Sequence, residues 1–189
     1  MKKVFILCTV LAILALAGGL VYYFWAKDTK VPSEFYEDAS LGISFNYPEG
    51  WLKVPEEDMK DFNFEAVLGF ASPETEDTGF GLVINDQPGK NNLKITESIA
   101  QFDKNYADLD NFKKVESGEL PVDGIKAVNY VFSFIPPVGE NQPKRTITQR
   151  QVLFLKNEKL YRLLFSADIR EYDKNKKNFD LIVNSFKAE

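Results

Sequence analysis

Carboxylates are the groups in this sequence most able to do chemistry. Glu56, Glu57, Asp58, Asp61 and Glu65 crowd one stretch, and Glu74, Glu76 and Asp77 another. Two carboxyls facing each other across a cleft could hydrolyse a glycosidic bond. Neighbours in sequence need not face each other in space, and both runs are read as solvated acidic surface. Asp108 and Asp110 could offer oxygens to calcium, but the bend glycine and closing glutamate of a calcium loop do not follow at the required spacing. Gly79-Phe80-Gly81 opens a strand pattern, whereas a phosphate cradle needs a glycine-rich turn running into a helix.

Other chemistry is excluded by residue type. The chain has no histidine, and its one cysteine, Cys8, lies in an apolar run. Triads built on histidine, a thiol nucleophile in the soluble part and a zinc site of the common Cys/His type are therefore ruled out. No catalytic residue, cofactor or metal site is assigned. Setting aside Lys2 and Lys3, the remainder carries 21 basic and 28 acidic residues, which argues against a nucleic-acid partner.

The stretch TITQRQ (146–151) is unusually polar for the middle of a strand. It is read as a solvent-facing stretch near a sheet edge. The alternative is a ligand groove lined by Gln149, Arg150 and Gln151. Just before it, residues 136–144 (PPVGENQPK) form a loop longer than a hairpin requires, and such loops often carry binding. Pro136, Pro137, Lys144, Arg145 and Arg150 are accordingly the candidate contacts for a protein partner.

What must position these residues is a mainly antiparallel sheet. Ile43, Phe45 and Tyr47 alternate along one strand, followed by a turn at Pro48-Glu49-Gly50 and a further stretch at 51–54. A short helical turn fits 56–62. Strands are expected at 66–72 and 79–85, then at 112–120, 125–135, 145–156 and 160–167. Turns at Val122-Asp123-Gly124 and Asn157-Glu158-Lys159 join two of these pairs. Between them a helix capped by Thr96 sets Ile99, Phe102, Tyr106 and Leu109 on one face. A last helix over 171–186 does the same with Tyr172, Phe179, Ile182 and Phe186. Trp51 and Phe186 are expected in the core. Two amphipathic helices can bury their stripes only on the sheet, so the fold class is α+β, an αβα sandwich occupying 39–189.

Ahead of this domain, Val4–Trp25 is an uncharged run of 22 residues, long enough to span a hydrocarbon core of roughly 30 Å. Aromatic residues and Lys27 close it, and Lys2 and Lys3 precede it. That pattern places the N-terminus in the cytoplasm and the domain outside. The expectation is one transmembrane helix at 1–25 and a linker at 26–38 reaching about 20 Å. Cleavage after Ala15-Leu16-Ala17, or lipidation at Cys8, are the alternatives.

Two segments are similar to a known family. LGISFNYPEGW (41–51) resembles the opening hairpin of PsbP-like domains. LYRLLFSADIREYDKNKKNFDLIVNSF (160–186) resembles their last strand and helix. The resemblance spans 36–187 and implies an antiparallel sheet between helices, on an exported or membrane-anchored domain. Metal binding in plant members relies partly on histidine, so it does not carry over. These readings imply a membrane-anchored, extracytoplasmic binding or assembly module without catalysis. The alternatives are a carboxylate-dependent hydrolase of an envelope polymer and a sensor of a small ligand or calcium.

The full chain should stay with membranes through an alkaline wash, while a chain shortened to begin near residue 31 should be soluble. Release of a native species beginning at Gly18 would contradict the anchor.

Overall fold

The structure, a computed structural model, describes residues 31–59, 66–75, 77–90, 92–137 and 143–189. The expected membrane helix and its cleavage and lipidation alternatives fall outside them. No helix among the described residues is long and apolar enough to cross a membrane.

Ten strands and three helices are described. In chain order they are β1 (Ser33–Asp38), β2 (Ile43–Pro48), β3 (Leu52–Lys53), α1 (Glu56–Met59), β4 (Leu68–Ala71) and β5 (Gly79–Asp86). Then come α2 (Ile95–Tyr106), β6 (Lys113–Val122), β7 (Ile125–Phe134), β8 (Ile147–Lys156), β9 (Lys159–Asp168), α3 (Tyr172–Ser185) and β10 (Lys187–Ala188). Seven strands make one sheet in the order β3-β4-β5-β9-β8-β7-β6, and β1-β2-β10 make a second. All pairings are antiparallel.

Local chemistry explains the long strands. Asp123 and Gly124 both hold positive φ, at 49° and 75°, as do Asn157 and Glu158, at 51° and 58°. Paired left-handed residues give the turn whose twist matches two antiparallel strands, so β6–β7 and β8–β9 close as tight hairpins.

The large sheet is buried on both faces. On one face, α3 and the small sheet cover Phe80, Leu82, Phe154, Tyr161, Leu163 and Phe165. Phe186 is fully buried there, 5.7 Å from the Phe45 ring and 5.7 Å from Phe154. Trp51 is 7% exposed and meets Phe179 edge-on. Both residues are in the core, as the pattern required. The opposite face is covered by α2, where Phe102 packs on Tyr130 and Tyr106 stacks on Phe132 at 4.5 Å. Tyr130 also donates to Asp103 at 2.6 Å, and Lys114 pairs with the same carboxylate at 2.8 Å.

The α+β class and the antiparallel pairing hold, but several local expectations change. Residues 33–38, assigned to the linker, form β1 and pair along all six residues with β2. The 41–51 segment is not a hairpin: β2 and β3 lie in different sheets, and Gly50, at φ 82°, turns the chain between them. The second sheet was hidden because its third strand is only two residues long. Helix α2 begins one residue before Thr96, with Lys94 at its N-cap and no side-chain capping bond.

One polar clamp holds the chain end in that second sheet. Asp123 accepts from Lys156 at 2.7 Å, from Lys187 at 2.9 Å and from the Ala188 backbone N–H at 3.2 Å. The Lys156 ammonium also reaches the Ala188 carbonyl. Burial raises the Asp123 pKa, but these donors outweigh it and hold the carboxyl at about 2. A depressed carboxyl stabilises the fold above its unfolded pKa near 4, and that contribution is lost as pH falls toward 2. Asp123→Asn keeps the turn geometry and removes the charge. It should cost about 1–2 kcal/mol in urea unfolding at pH 7 and make the variant lose less stability than wild type between pH 4 and pH 2. An unchanged pH profile would contradict the clamp.

Candidate functional site

The polar run in β8 decides what this domain can do. β8 lies between β9 and β7, well inside the sheet, so the reading of 146–151 as an edge is overturned. Gln149, Arg150 and Gln151 are 6%, 7% and 0% exposed. Side chains alternate along a strand, so Arg150 points to the α3 face and the two glutamines to the α2 face.

Arg150 was expected at a contact surface and is instead structural. Its Nε donates to Asn129 Oδ1 at 2.7 Å and a terminal nitrogen donates to Asp180 Oδ1 of α3 at 2.6 Å. Asn129 in turn donates to Glu116 at 2.8 Å. This chain ties α3 across β8 and β7 to β6. Tyr172 packs nearby, and burial pushes its phenol up to about 12, with Arg150 opposing.

On the other face, Gln151 Nε2 donates to Tyr106 OH at 2.8 Å and to Gln149 Oε1 at 3.2 Å. The Gln149 carbonyl is therefore engaged, while its amide nitrogen makes no hydrogen bond among the described residues. Beyond Gln149 the sheet opens. Register places Ala71, Gly79, Ser166 and Gln149 in one row across β4, β5, β9 and β8, with Gly69, Gly81, Leu164 and Gln151 in the next. The small residues leave a cavity of about 200 Å³ on the same face as α2, which packs mainly over β6 and β7. Val54 and Met59 wall it on one side and Leu164 and Ile147 on the other. Gln149, Ser166, Thr78 and Asp77 supply polar groups at the end where β5 begins and β9 finishes.

A second feature lies at that same end of the sheet. Pro143, Lys144, Arg145, Thr146, Asp168, Ile169 and Arg170 line a surface depression. Ile169 is 49% exposed. Each cation is steadied by a carboxylate: Lys144 by Asp110 at 3.5 Å, Arg145 by Asp77 at 2.8 Å and Arg170 by Asp168 at 2.8 Å. Side-chain and backbone bonds from Arg170 hold the Asp168 carboxyl at about 2. The Asp77–Arg145 pair joins the cavity to the depression.

Sequence reasoning reached two residues of this depression, Lys144 and Arg145. It missed Ile169 and Arg170, which β9 carries to the same place because Ile147 pairs with Asp168. Pro136 is half-buried and Pro137 exposed, and neither lines the depression. Residues 138–142 of the expected contact loop lie outside those described. Of the acidic runs, Glu56, Glu57, Asp58 and Glu74 are exposed, while Asp61, Glu65 and Glu76 lie outside the described residues. Asp108 and Asp110 are also exposed, and the Asp110 backbone carbonyl accepts from Ile135 at 2.8 Å. No group of three metal-ligating side chains occurs among the described residues.

An antiparallel sheet with a helix on one face, and a second small sheet and a helix on the other, defines the structural class. The family model for PsbP-like proteins matches residues 25–188, and the chain belongs to that family. Cyanobacterial PsbP (CyanoP) from Synechocystis is 20% identical, with a TM-score of 0.57 over 84% of this chain and 94% of that one. LpqN of Mycobacterium tuberculosis, involved in cell envelope biogenesis, is 14% identical, with a TM-score of 0.52 over 86% and 94%. The Saccharomyces cerevisiae Ran-binding protein Mog1p is 9% identical, with a TM-score of 0.53 over 84% and 96%. At these identities the likeness is one of fold. Among curated proteins, none matches the sequence significantly.

Replacing Arg150 by Met should cost about 2–4 kcal/mol in urea unfolding, because Asn129 and Asp180 lose a buried charged donor. A loss below about 0.5 kcal/mol would show that the chain from Asp180 to Glu116 does not hold the layers together.

Proposed function

We propose that this chain is a binding or assembly module without catalysis of its own, held at the outer face of a membrane by its N-terminal segment. It docks an acidic protein surface in the depression at the Thr146 and Asp168 ends of β8 and β9. The observation that carries this reading is exposed Ile169 set among Lys144, Arg145 and Arg170. An apolar anchor ringed by cations suits a partner with an apolar contact and acidic neighbours. Arginine is also favoured at the energetic centre of protein interfaces. Its lining belongs mostly to the loop entering β8 and the turn leaving β9, and such connections often carry binding.

Two further observations support a docking role. The uncharged run at 4–25 would keep the domain close to the bilayer, where a partner in a membrane complex is within reach. Mog1p, which shares the fold, is a Ran-binding protein, so this scaffold can serve protein recognition.

The test is affinity capture of the full chain from native membranes, run beside the double variant Lys144→Glu, Arg170→Glu. Wild type should retain a partner that leaves as salt is raised, and the charge-reversed protein should lose it by tenfold or more. Equal capture by both proteins would contradict the site. Turnover of peptidoglycan or polysaccharide by the pure protein, abolished by one carboxylate replacement that leaves the fold intact, would overturn the non-catalytic reading.

A further inference from the structure

The cavity beside Gln149 is a different feature from the docking depression, and its chemistry is more specific. The glycines of its floor do not all have the same reason to be there. A Cβ on Gly79 would meet the Phe70 carbonyl at 2.9 Å, so glycine is required where β4 and β5 approach. A Cβ on Gly69 would meet Val54 at 3.3 Å and the Met59 sulfur at 3.5 Å, so packing accounts for it too. Gly81 is the exception. Its Cβ would meet nothing closer than 3.9 Å, from Leu164 and Ala66. Its backbone is ordinary extended strand in the middle of β5, where a β-branched residue would stabilise the sheet. Glycine at 81 keeps space open.

The polar end of that space holds groups with unused bonding capacity. Gln149 is 94% buried by its 6% exposure, and its carbonyl is fixed by Gln151, which Tyr106 holds in turn. Both N–H groups of the Gln149 amide lack an acceptor among the described residues, on the face where the cavity lies. Thr78 also lines the cavity, but its unpartnered hydroxyl is sealed within the chain, which leaves the Gln149 amide as the donor beside the open space. An amide nitrogen that borders a cavity with its hydrogens unbonded is a ready donor for an acceptor from outside the chain.

From these observations we infer that the cavity binds a small planar molecule carrying one carbonyl-type oxygen. The ring lies over the backbone at Gly81, between Met59 and Leu164. The oxygen accepts from Gln149 Nε2, with Ser166 beside it. Size sets the class. A dry cavity of about 150 Å³ is known to hold benzene, so about 200 Å³ accommodates one six-membered ring with one polar substituent. The site neither needs nor affects a bond-making step. It is a recognition site, and its polar end is joined through Asp77 and Arg145 to the docking depression.

The chain's two methionines make a direct test. Met59 lines the cavity and Met1 is a reference far away in sequence. The full chain, labelled with 13C on its methionine methyls, is titrated in detergent with benzamide and separately with toluene. Benzamide should shift the Met59 signal saturably and leave Met1 still. Gly81→Val, which fills the floor, should abolish the shift while raising the thermal midpoint. Should that variant not fold, Gly81→Ala gives the same test with a partial loss. Gln149→Leu should weaken benzamide about tenfold and leave toluene unchanged, since only benzamide offers an oxygen. An unmoved Met59 signal would overturn the site. Equal losses for benzamide and toluene in Gln149→Leu would overturn the role of the amide.

Discussion

A sheet of seven strands is about 29 Å across, and a helix with its side chains is only about 10–12 Å wide. That mismatch governs this domain. One face solves it with two elements, since α3 and the small sheet share the cover. The other face has α2, packed mainly over β6 and β7 and reaching Leu153 of β8, with Val54 and Met59 over β4. Beyond α2, over β5 and β9, Val83 and Leu164 are still buried on this face, at 4% and 5% exposure, while their neighbours become small. The sequence there changes to Gly69, Ala71, Gly79, Gly81 and Ser166, which present little apolar surface. Both the cavity and the polarity of β8 follow from a helix that reaches only part way across.

At that boundary β8 carries its two glutamines. The Gln151 amide nitrogen sits under the end of α2 and donates to Tyr106, while Gln149 is the next residue along on the same face and lines the cavity. Arg150, between them, faces the opposite layer and holds α3 through Asp180. Three consecutive polar residues therefore do three separate jobs. Asp77 and Arg145 complete the arrangement, because their bond closes the cavity's polar end with a residue of the exposed depression.

Much of the fold was legible in sequence because the signals are local. Alternation from Val128 to Phe132 marks β7, Asp123-Gly124 fixes the hairpin before it, and the stripe at Ile99, Phe102 and Tyr106 marks a helix. What failed were inferences that depend on strand order. Polar residues 149–151 suggest an edge until β8 is known to lie inside the sheet, where the same residues must be satisfied by partners far away in sequence. The small sheet escaped for a related reason, since Ala188 pairs with Ile43 across nearly the whole chain. Lys144 and Arg145 were found by charge beside a long loop. Ile169 and Arg170 were not, because only pairing of β8 with β9 brings them there. The cavity left no sequence signal stronger than glycines at alternate positions, which also fit a weak strand.

The central claim is that the Gln151 amide is sealed beneath α2 while the Gln149 amide borders a cavity. Side-chain amide exchange with water, followed by proton NMR of 15N-labelled protein, measures this directly. The Gln151 amide, bonded to Tyr106 and 0% exposed, should exchange slowly, and the Gln149 amide should exchange at least tenfold faster. Equal protection of the two amides would mean that α2 and its neighbours seal the whole face, and would contradict the account.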